Sequence, residues 1–133
     1  MRAALPTKIQ NLWNAEEMVQ DTGTYTSAEI VNNLGYTRVQ FLVKIASEVG
    51  TSTFDFKVQE YFESAGAWFD IPGASLAQQS AATTIDLVIG AGLTAVANRV
   101  VSQVVPRRMQ AICTIGDATT EGYTVTVDAI LYA

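Results

Sequence analysis

The chain has no histidine and only one cysteine, Cys113, among its 133 residues. Without histidine, neither a Ser–His–Asp triad nor a Cys–His dyad can form, and the commonest general base and zinc ligand are both missing. A single cysteine excludes an internal disulfide, and its place among alternating apolar residues predicts a small buried hydrophobe. The sequence therefore predicts a non-enzymatic protein that has neither a metal site nor a cofactor.

Charged residues are also scarce. They make up 16% of the chain, whereas about 25% is usual in soluble domains. The formal net charge is −5, and Arg107-Arg108 is the one adjacent basic pair. Because an acidic chain gains nothing from phosphate contacts, we expect no binding to nucleic acid and none to anionic membrane surfaces. The low charge content further predicts that partner molecules cover part of the outer surface.

Long apolar runs are missing as well. None approaches the length of about 18 residues that a transmembrane helix requires. Near the N-terminus, Pro6, Lys8 and Gln10 interrupt any apolar stretch, so no signal peptide is expected. A chain with one cysteine is compatible with assembly in a reducing cytoplasm.

Apolar and polar residues alternate in several segments after Gly23, which is the pattern of half-buried strands. Two pairs of such segments are each separated by a turn signal, at 50–53 and at 116–122, and both pairs are predicted to form β-hairpins. The second hairpin resembles the first in its pattern of residues. The side chains predicted to face the core are Val39, Phe41, Val43, Phe54, Phe56, Val58, Met109, Cys113, Val125 and Val127.

Two long hairpins at equivalent places suit an all-β domain, a two-sheet antiparallel β-sandwich with jelly-roll-like connections. We assign this domain to residues 24–133. Two shorter strands are predicted within it, one at 68–71 that is closed by the turn Pro72-Gly73 and one at 84–89. The segment 93–104 fits helical spacing, but its many valines favour extended structure after a loop.

Residues 1–23 differ from the rest, because isolated apolar side chains stand among polar ones without a period of two. They are predicted to form an N-terminal arm that lies outside the sandwich core and contacts a neighbouring chain. Burying a large apolar side chain in such a contact is worth roughly 1.5–3 kcal/mol. The alternative is that the arm supplies an edge strand to its own sheet. The side chains concerned are Leu5, Ile9, Leu12 and Trp13.

Several strands also carry apolar residues on the face opposite the predicted core. A sandwich alone in water is expected to be polar on that face, so another subunit or the arm is predicted to cover it. We expect a homo-oligomer, with a homotrimer as the first choice. The predicted interface residues are Leu5, Ile9, Leu12, Trp13, Leu42, Tyr61, Ile112 and Ile130.

Two patterns could indicate catalysis or nucleotide binding, but each has a plainer interpretation. Asp55 and Glu60 could act as paired carboxylates, yet a spacing of five along one strand places them on opposite faces. Residues 90–95 match the form G-x-G-x-x-A, which binds pyrophosphate only within a βαβ unit. No such unit precedes them, so a loop between strands is favoured.

Two further patterns could bind a ligand. The turn 117–121 contains two carboxylates that calcium could use, although the ligands are too few for a complete site. Trp13, Tyr36, Tyr61 and Trp68 could stack on sugars, as aromatic platforms do in carbohydrate-binding sandwiches. Aromatic residues in strands more often line a core or a subunit interface, which is the favoured interpretation.

Two stretches resemble small jelly-roll virion proteins of tailed bacteriophages. The first runs from Arg38 to Asp70 and contains the turn 49–54 followed by Trp68-Phe69-Asp70. The second runs over 107–116 and continues in 123–127. The family is that of the head decoration, or cement, proteins, and the resemblance covers about residues 36–132 without the arm. It matches scaffold positions only, so no functional residue carries over.

The resemblance implies a β-sandwich, frequently trimeric, that binds the outside of the capsid and bridges neighbouring capsid subunits. The expected partners are then the major capsid protein and copies of the chain itself. The expected location is the capsid surface of the virion, with assembly in the host cytoplasm. Two alternatives stay open: a carbohydrate- or receptor-binding β-sandwich, and another virion component such as a head–tail connector or tail-tube subunit.

Overall fold

Over the residues that the structure describes, the chain forms β-strands and no helix. The structure is a computed structural model that describes residues 6–19, 23–46, 52–116 and 122–133. Valine, isoleucine, threonine and aromatic residues, which favour strands, recur through these segments. The strands are β1 (Lys8–Val19), β2 (Thr24–Thr26), β3 (Ile30–Val31), β4 (Arg38–Ala46), β5 (Thr53–Phe62), β6 (Ala67–Ser75), β7 (Thr83–Gly90), β8 (Val100–Ser102), β9 (Arg108–Gly116) and β10 (Gly122–Tyr132).

The strands form two sheets that pack face to face. The first sheet has the order β1-β10-β4-β7-β8, and the second has the order β2-β9-β5-β6, with β3 also pairing with β9. Every pairing is antiparallel except that of β7 with the short edge strand β8, which is parallel. Strands that follow one another in the chain repeatedly lie in opposite sheets, which gives jelly-roll connectivity. The predicted fold class, a two-sheet jelly-roll-like sandwich, is confirmed.

The core lies between the sheets and consists of the inward members of each alternating segment. All ten side chains predicted to face inward are at most 1% exposed. The Phe41 ring on β4 meets the Phe56 ring on β5 across the two sheets, with ring centroids 5.9 Å apart. The period of two therefore identified the buried face of each long strand correctly.

The prediction of two hairpins is wrong. β4 pairs with β10 and β7 in the first sheet, whereas β5 pairs with β9 and β6 in the second. β9 and β10 are likewise in different sheets. Alternation shows which face of a strand is buried but not which strand lies beside it, and two facing strands of a sandwich alternate as a hairpin does.

The similarity between the two predicted hairpins nevertheless has a structural counterpart. The pair β4–β5 and the pair β9–β10 each cross from one sheet to the other. They also interlock, because β4 lies beside β10 and β5 lies beside β9. The four central strands are thus related by an approximate two-fold arrangement, so equivalent positions face equivalent surroundings.

The prediction of an arm outside the sandwich is wrong for residues 8–19. These residues form the edge strand β1, which pairs with β10, and Met18 within it is fully buried in the core. The pairing shifts register on both sides of Trp13, and Ala15 has a φ of 50°. Such bulges break the alternation of side chains, which explains why the sequence shows no period of two there. Residues 1–5 and 20–22 lie outside the described residues.

The predictions for two shorter segments, 68–71 and 93–104, have different outcomes. β6 does not end at Pro72-Gly73 but runs through it to Ser75, and Gly73 adopts a φ of 78°. Proline is tolerated there because β6 is an edge strand. In the segment 93–104, a loop leads into the extended residues of β8, as the valine content predicted.

Candidate interaction surfaces

The outer face of the first sheet has a row of residues across the strands in which Gln40 stands among three apolar ones. The strand registers place Ile9 beside Ile130, Ile130 beside Gln40, and Gln40 beside Val88. Ile9 is 67% exposed and Leu42, on the next row, is 38% exposed. The predicted interface residues Ile9, Leu42 and Ile130 therefore share one face.

A chain of hydrogen bonds crosses the same face. The Tyr132 hydroxyl donates to Gln40 Oε1 at 2.9 Å, and the Gln40 amide donates to Asp86 Oδ2 at 2.9 Å. Arg99 completes the chain through an ion pair with Asp86 at 2.7 Å. Arg99 first, and Gln40 second, lower the pKa of Asp86 because their hydrogen bonds favour the carboxylate.

This network predicts a small acid-sensitive part of the stability. Because the pKa of Asp86 is lower in the folded chain, its contribution is present above pH 4 or so and is lost as the pH falls through the lowered pKa. Asp86→Asn should cost less than about 1 kcal/mol at pH 7, since the pair is partly exposed. It should also flatten the loss of stability in acid. Urea denaturation between pH 2.5 and 7 tests this, with the exposed Glu17→Gln as control. If the free energy of unfolding of Asp86→Asn falls in acid as steeply as that of the unchanged protein, the prediction is contradicted.

Arg108 organises the outer face of the second sheet. Its guanidinium pairs with Glu29 at 2.6 Å and Glu63 at 3.1 Å. It also lies 4.0 Å from the centroid of the Tyr61 ring. The Trp68 ring meets Tyr61 edge-on at 5.2 Å. Hydrogen bonds from Arg108 to the two carboxylates, Glu29 foremost, raise the pKa of the guanidinium above its ordinary value. This arrangement covers one face of Tyr61 and fixes the β5–β6 turn to the β2–β3 connection.

The remainder of that face is polar, and its side chains form hydrogen bonds and an ion pair with one another. The Gln110 amide donates to Gln59, and the Gln59 amide donates to Asp70 at 2.9 Å. Lys57 forms an ion pair with Asp70 at 3.0 Å. The hydrogen bonds from Gln59, and next from Lys57, lower the pKa of Asp70. Ile112 points to this face but is only 8% exposed.

The structure separates the eight predicted interface residues into groups. Ile9, Leu42 and Ile130 share the outer face of the first sheet, while Tyr61 lies beneath Arg108 on the second. Three residues are largely covered by their own chain, which limits their use in an interface. Those three are Leu12 and Trp13, which pack against the core, and Ile112. Leu5 lies outside the described residues.

The four aromatic residues predicted as a sugar platform do not come together. Trp13 packs against the core from β1, and Tyr36 is buried after β3, where its hydroxyl donates to the Pro6 carbonyl at 2.7 Å. Only Tyr61 and Trp68 are neighbours. The common platform predicted from the sequence is therefore reduced to a pair.

A third surface lies at one end of the sandwich, where β1, β4, β6 and β9 begin and β5, β7 and β10 end. We call it the apolar end, because five of the seven large hydrophobic side chains that are exposed among the described residues lie there. Leu34 is 62% exposed and Val104 is 77% exposed. The five side chains are Ile9, Leu34, Phe62, Phe69 and Val104.

The apolar end contains a groove of about 580 Å³. Its walls come from the β3–β4 loop, the β7–β8 loop and the β8–β9 loop, so both sheets contribute to it. A smaller groove shares Thr37 and Ala91 with it. The residues lining the larger groove are Asn32, Asn33, Gly35, Tyr36, Thr37, Ala91, Val104, Val105 and Arg107.

Sequence reasoning missed most of the apolar end. Leu34 and Val104 stand in loops, where a period of two gives no direction, and Phe62 and Phe69 lie near the ends of their strands. A usable signal was present in Asn33-Leu34-Gly35 and Val104-Val105-Pro106. Large apolar residues next to turn formers are not needed by the turn itself.

Reactive groups do not cluster within the described part of the chain. Over those residues, no three histidine, cysteine or acidic side chains come close enough to hold a metal ion. Burial raises the pKa of the Cys113 thiol well above its ordinary value, which keeps it protonated and inert. Gly90 ends β7, and a turn rather than a helix follows it. The candidate calcium turn 117–121 lies outside the described residues.

Comparison with known proteins found no matching family model, no matching curated protein and no matching solved structure. Within the described segments, no helix is long and apolar enough to span a membrane. We therefore infer the function from the geometry of the chain's own surfaces.

Proposed function

We propose that the chain is a structural virion protein that decorates the capsid. It binds the outer capsid surface, bridges major capsid subunits and so stabilises the shell. The observation that carries the proposal is the combination of a jelly-roll sandwich with exposed apolar side chains gathered at one end. Large apolar groups concentrated on one surface of a small domain are typical of a site for another macromolecule.

The mechanism of this stabilisation is mass action. A protein that binds the assembled shell but not its separated subunits shifts the equilibrium towards the shell. Each copy needs only a modest interface, because many copies act on one particle. The chain needs no catalytic group for this role, and its single thiol is buried.

We further propose that the protein acts as a homotrimer. The apolar side chains of Ile9, Ile130 and Leu42, which share the outer face of the first sheet, are available for subunit contacts. Strand addition is disfavoured, because β1 is bulged and β6 contains Pro72, and both features blunt a sheet edge. Sedimentation equilibrium of the purified protein tests the trimer, and a stable monomer on and off the particle would contradict it.

Capsids of the encoding virus, assembled without this chain, provide the test of the proposed function. Adding the purified protein should raise the temperature at which the particles release their DNA. The rise should saturate as the binding sites fill. Heat-denatured protein serves as the control. If saturating amounts of folded protein leave the release temperature unchanged, the decoration function is wrong.

A carbohydrate-binding module is the second candidate. The neighbouring rings of Tyr61 and Trp68, with Gln59 and Asp70 nearby on the same face, resemble the mix of aromatic and polar groups that sugars contact. Arg108 covers part of the Tyr61 ring, which reduces the area open to stacking. A glycan array distinguishes the candidates, because specific sugar binding that Trp68→Ala abolishes would favour this one.

A further inference from the structure

We propose that the apolar end is the surface that faces the shell, and that its partner is an acidic protein surface with an apolar centre. This inference rests on the proposed decoration function and names which part of the molecule performs it. The outer faces of the two sheets are then left for contacts between copies and for solvent.

The distribution of apolar groups is the first argument. Val104 lines the groove, and Leu34 stands in the chain between two lining residues, Asn33 and Gly35; both Leu34 and Val104 are more than 60% exposed. At the same end, the Phe62 and Phe69 rings pack against each other with centroids 4.9 Å apart, yet each is 43% exposed. Exposing these four apolar side chains to water is unfavourable, and a docked surface would remove them from water.

The distribution of charge is the second argument. The exposed cations Lys8, Arg38 and Arg107 lie at the apolar end, and none forms an ion pair with a described acidic residue, while Arg38 lies 4.6 Å from the centroid of the Tyr132 ring. Glu29 and Glu63, the carboxylates nearest to Arg108, are both already paired with it. Glu60, near the end of β5, is the further described carboxylate here, so cations without an ion pair outnumber such carboxylates at this end, although the whole chain has 13 acidic and eight basic residues.

The opposite end of the strands differs in charge, because it carries acidic residues. There, Glu16 and Glu17 are exposed on β1. The connections 20–22, 47–51 and 117–121 lie outside the described residues, and their sequences contain four acidic residues and no basic one. Apolar and cationic groups therefore lie at one end of the strands. The sequences that connect the strands at the other end contain acidic residues and no basic one.

These features select one class of partner. Two copies that met through their apolar ends would bring like charges together, which disfavours a symmetric self-contact. Nucleic acid and anionic lipid attract cations but offer a phosphate surface that repels the net charge of −5. A protein surface with an apolar centre and carboxylates around it matches both the apolar groups and the cations.

The test measures binding of the labelled, full-length protein to undecorated capsids by co-sedimentation over a range of protein concentrations. The double variant Leu34→Ser/Val104→Ser removes apolar contacts, and Arg38→Glu/Arg107→Glu reverses charge. We expect each double variant to bind at least about tenfold more weakly, as loss of central interface residues does. The charge variant should also bind with a weaker dependence on salt.

Matched controls lie away from the apolar end. Val96→Ser truncates a side chain that is 50% exposed, and Lys44→Glu reverses a cation on the outer face of the first sheet. Both should bind as the unchanged protein does. All variants should unfold in one cooperative urea transition close to the midpoint of the unchanged protein, because the altered side chains are exposed and the contact of Arg38 with the Tyr132 ring is at the surface.

The outcomes separate the two proposals. If the unchanged protein does not sediment with capsids, the decoration function fails and this inference fails with it. If it binds and the variants at the apolar end bind equally well, the decoration function stands and this inference is overturned. Binding to free DNA or to vesicles containing anionic lipid that equals binding to capsids would also overturn it, since the partner would then be a phosphate surface.

Discussion

Replacing Phe56 by alanine is expected to lower the free energy of unfolding by about 3–5 kcal/mol, the usual cost of removing a buried phenylalanine side chain. Phe56 is 1% exposed, and its ring lies 5.9 Å from that of Phe41 in the facing sheet. The substitution therefore opens a cavity between the sheets rather than at an edge. Equilibrium urea denaturation followed by fluorescence measures the change.

Leu42→Ala is the matched control for this prediction. Leu42 follows Phe41 on β4 but points to the outer face, where it is 38% exposed. Its truncation should cost about 0.5 kcal/mol or less in a free monomer. Equal losses for the two variants would mean that the inward and outward faces of the sandwich have been assigned wrongly.

Deleting residues 1–19 is expected to abolish cooperative folding. The deletion removes β1, which carries the fully buried Met18 and the half-buried Leu12 and Trp13. It also exposes the edge of β10, whose inward side chains form part of the core. Burial of each large apolar side chain contributes roughly 1.5–3 kcal/mol, and a whole domain is stable by only about 5–15 kcal/mol. Loss of several such groups should therefore leave no folded state.

Far-ultraviolet circular dichroism and urea denaturation test the deletion. Removing residues 1–5 alone serves as the control, because no described strand is lost. If the chain that lacks residues 1–19 unfolds cooperatively at an unchanged urea midpoint, β1 is not part of the sandwich. The arm predicted from the sequence would then be the better description.

The sequence was sufficient for the class of fold and for the buried faces, because alternation along a strand directly reports which side chains are inward. It was insufficient for strand pairing. Phe41 and Phe56 alternate in step as hairpin partners would, yet they meet across the core from opposite sheets. Pairing depends on contacts between distant parts of the chain, such as β4 with β10, and a local pattern does not record them.

The candidate surfaces were harder to predict for two physical reasons. Bulges around Trp13 and the unusual φ of Ala15 removed the alternation that would have revealed β1 as a strand. Leu34 and Val104 became neighbours of one groove only when loops from both sheets met at the same end. By contrast, Leu42 and Ile130 were predicted as outward residues because they lie on the regular strands β4 and β10.

Quantitative mass spectrometry of purified particles tests the proposed decoration function most directly. The particles are those of the virus that encodes the chain, and the measurement compares the copy number of this protein with that of the major capsid protein. The proposal predicts that the chain is present in many copies, in a fixed ratio to the shell subunit, and that mild treatment removes it while the shell remains. Its absence from the particles, or its presence in only a few copies per particle, would contradict the proposal.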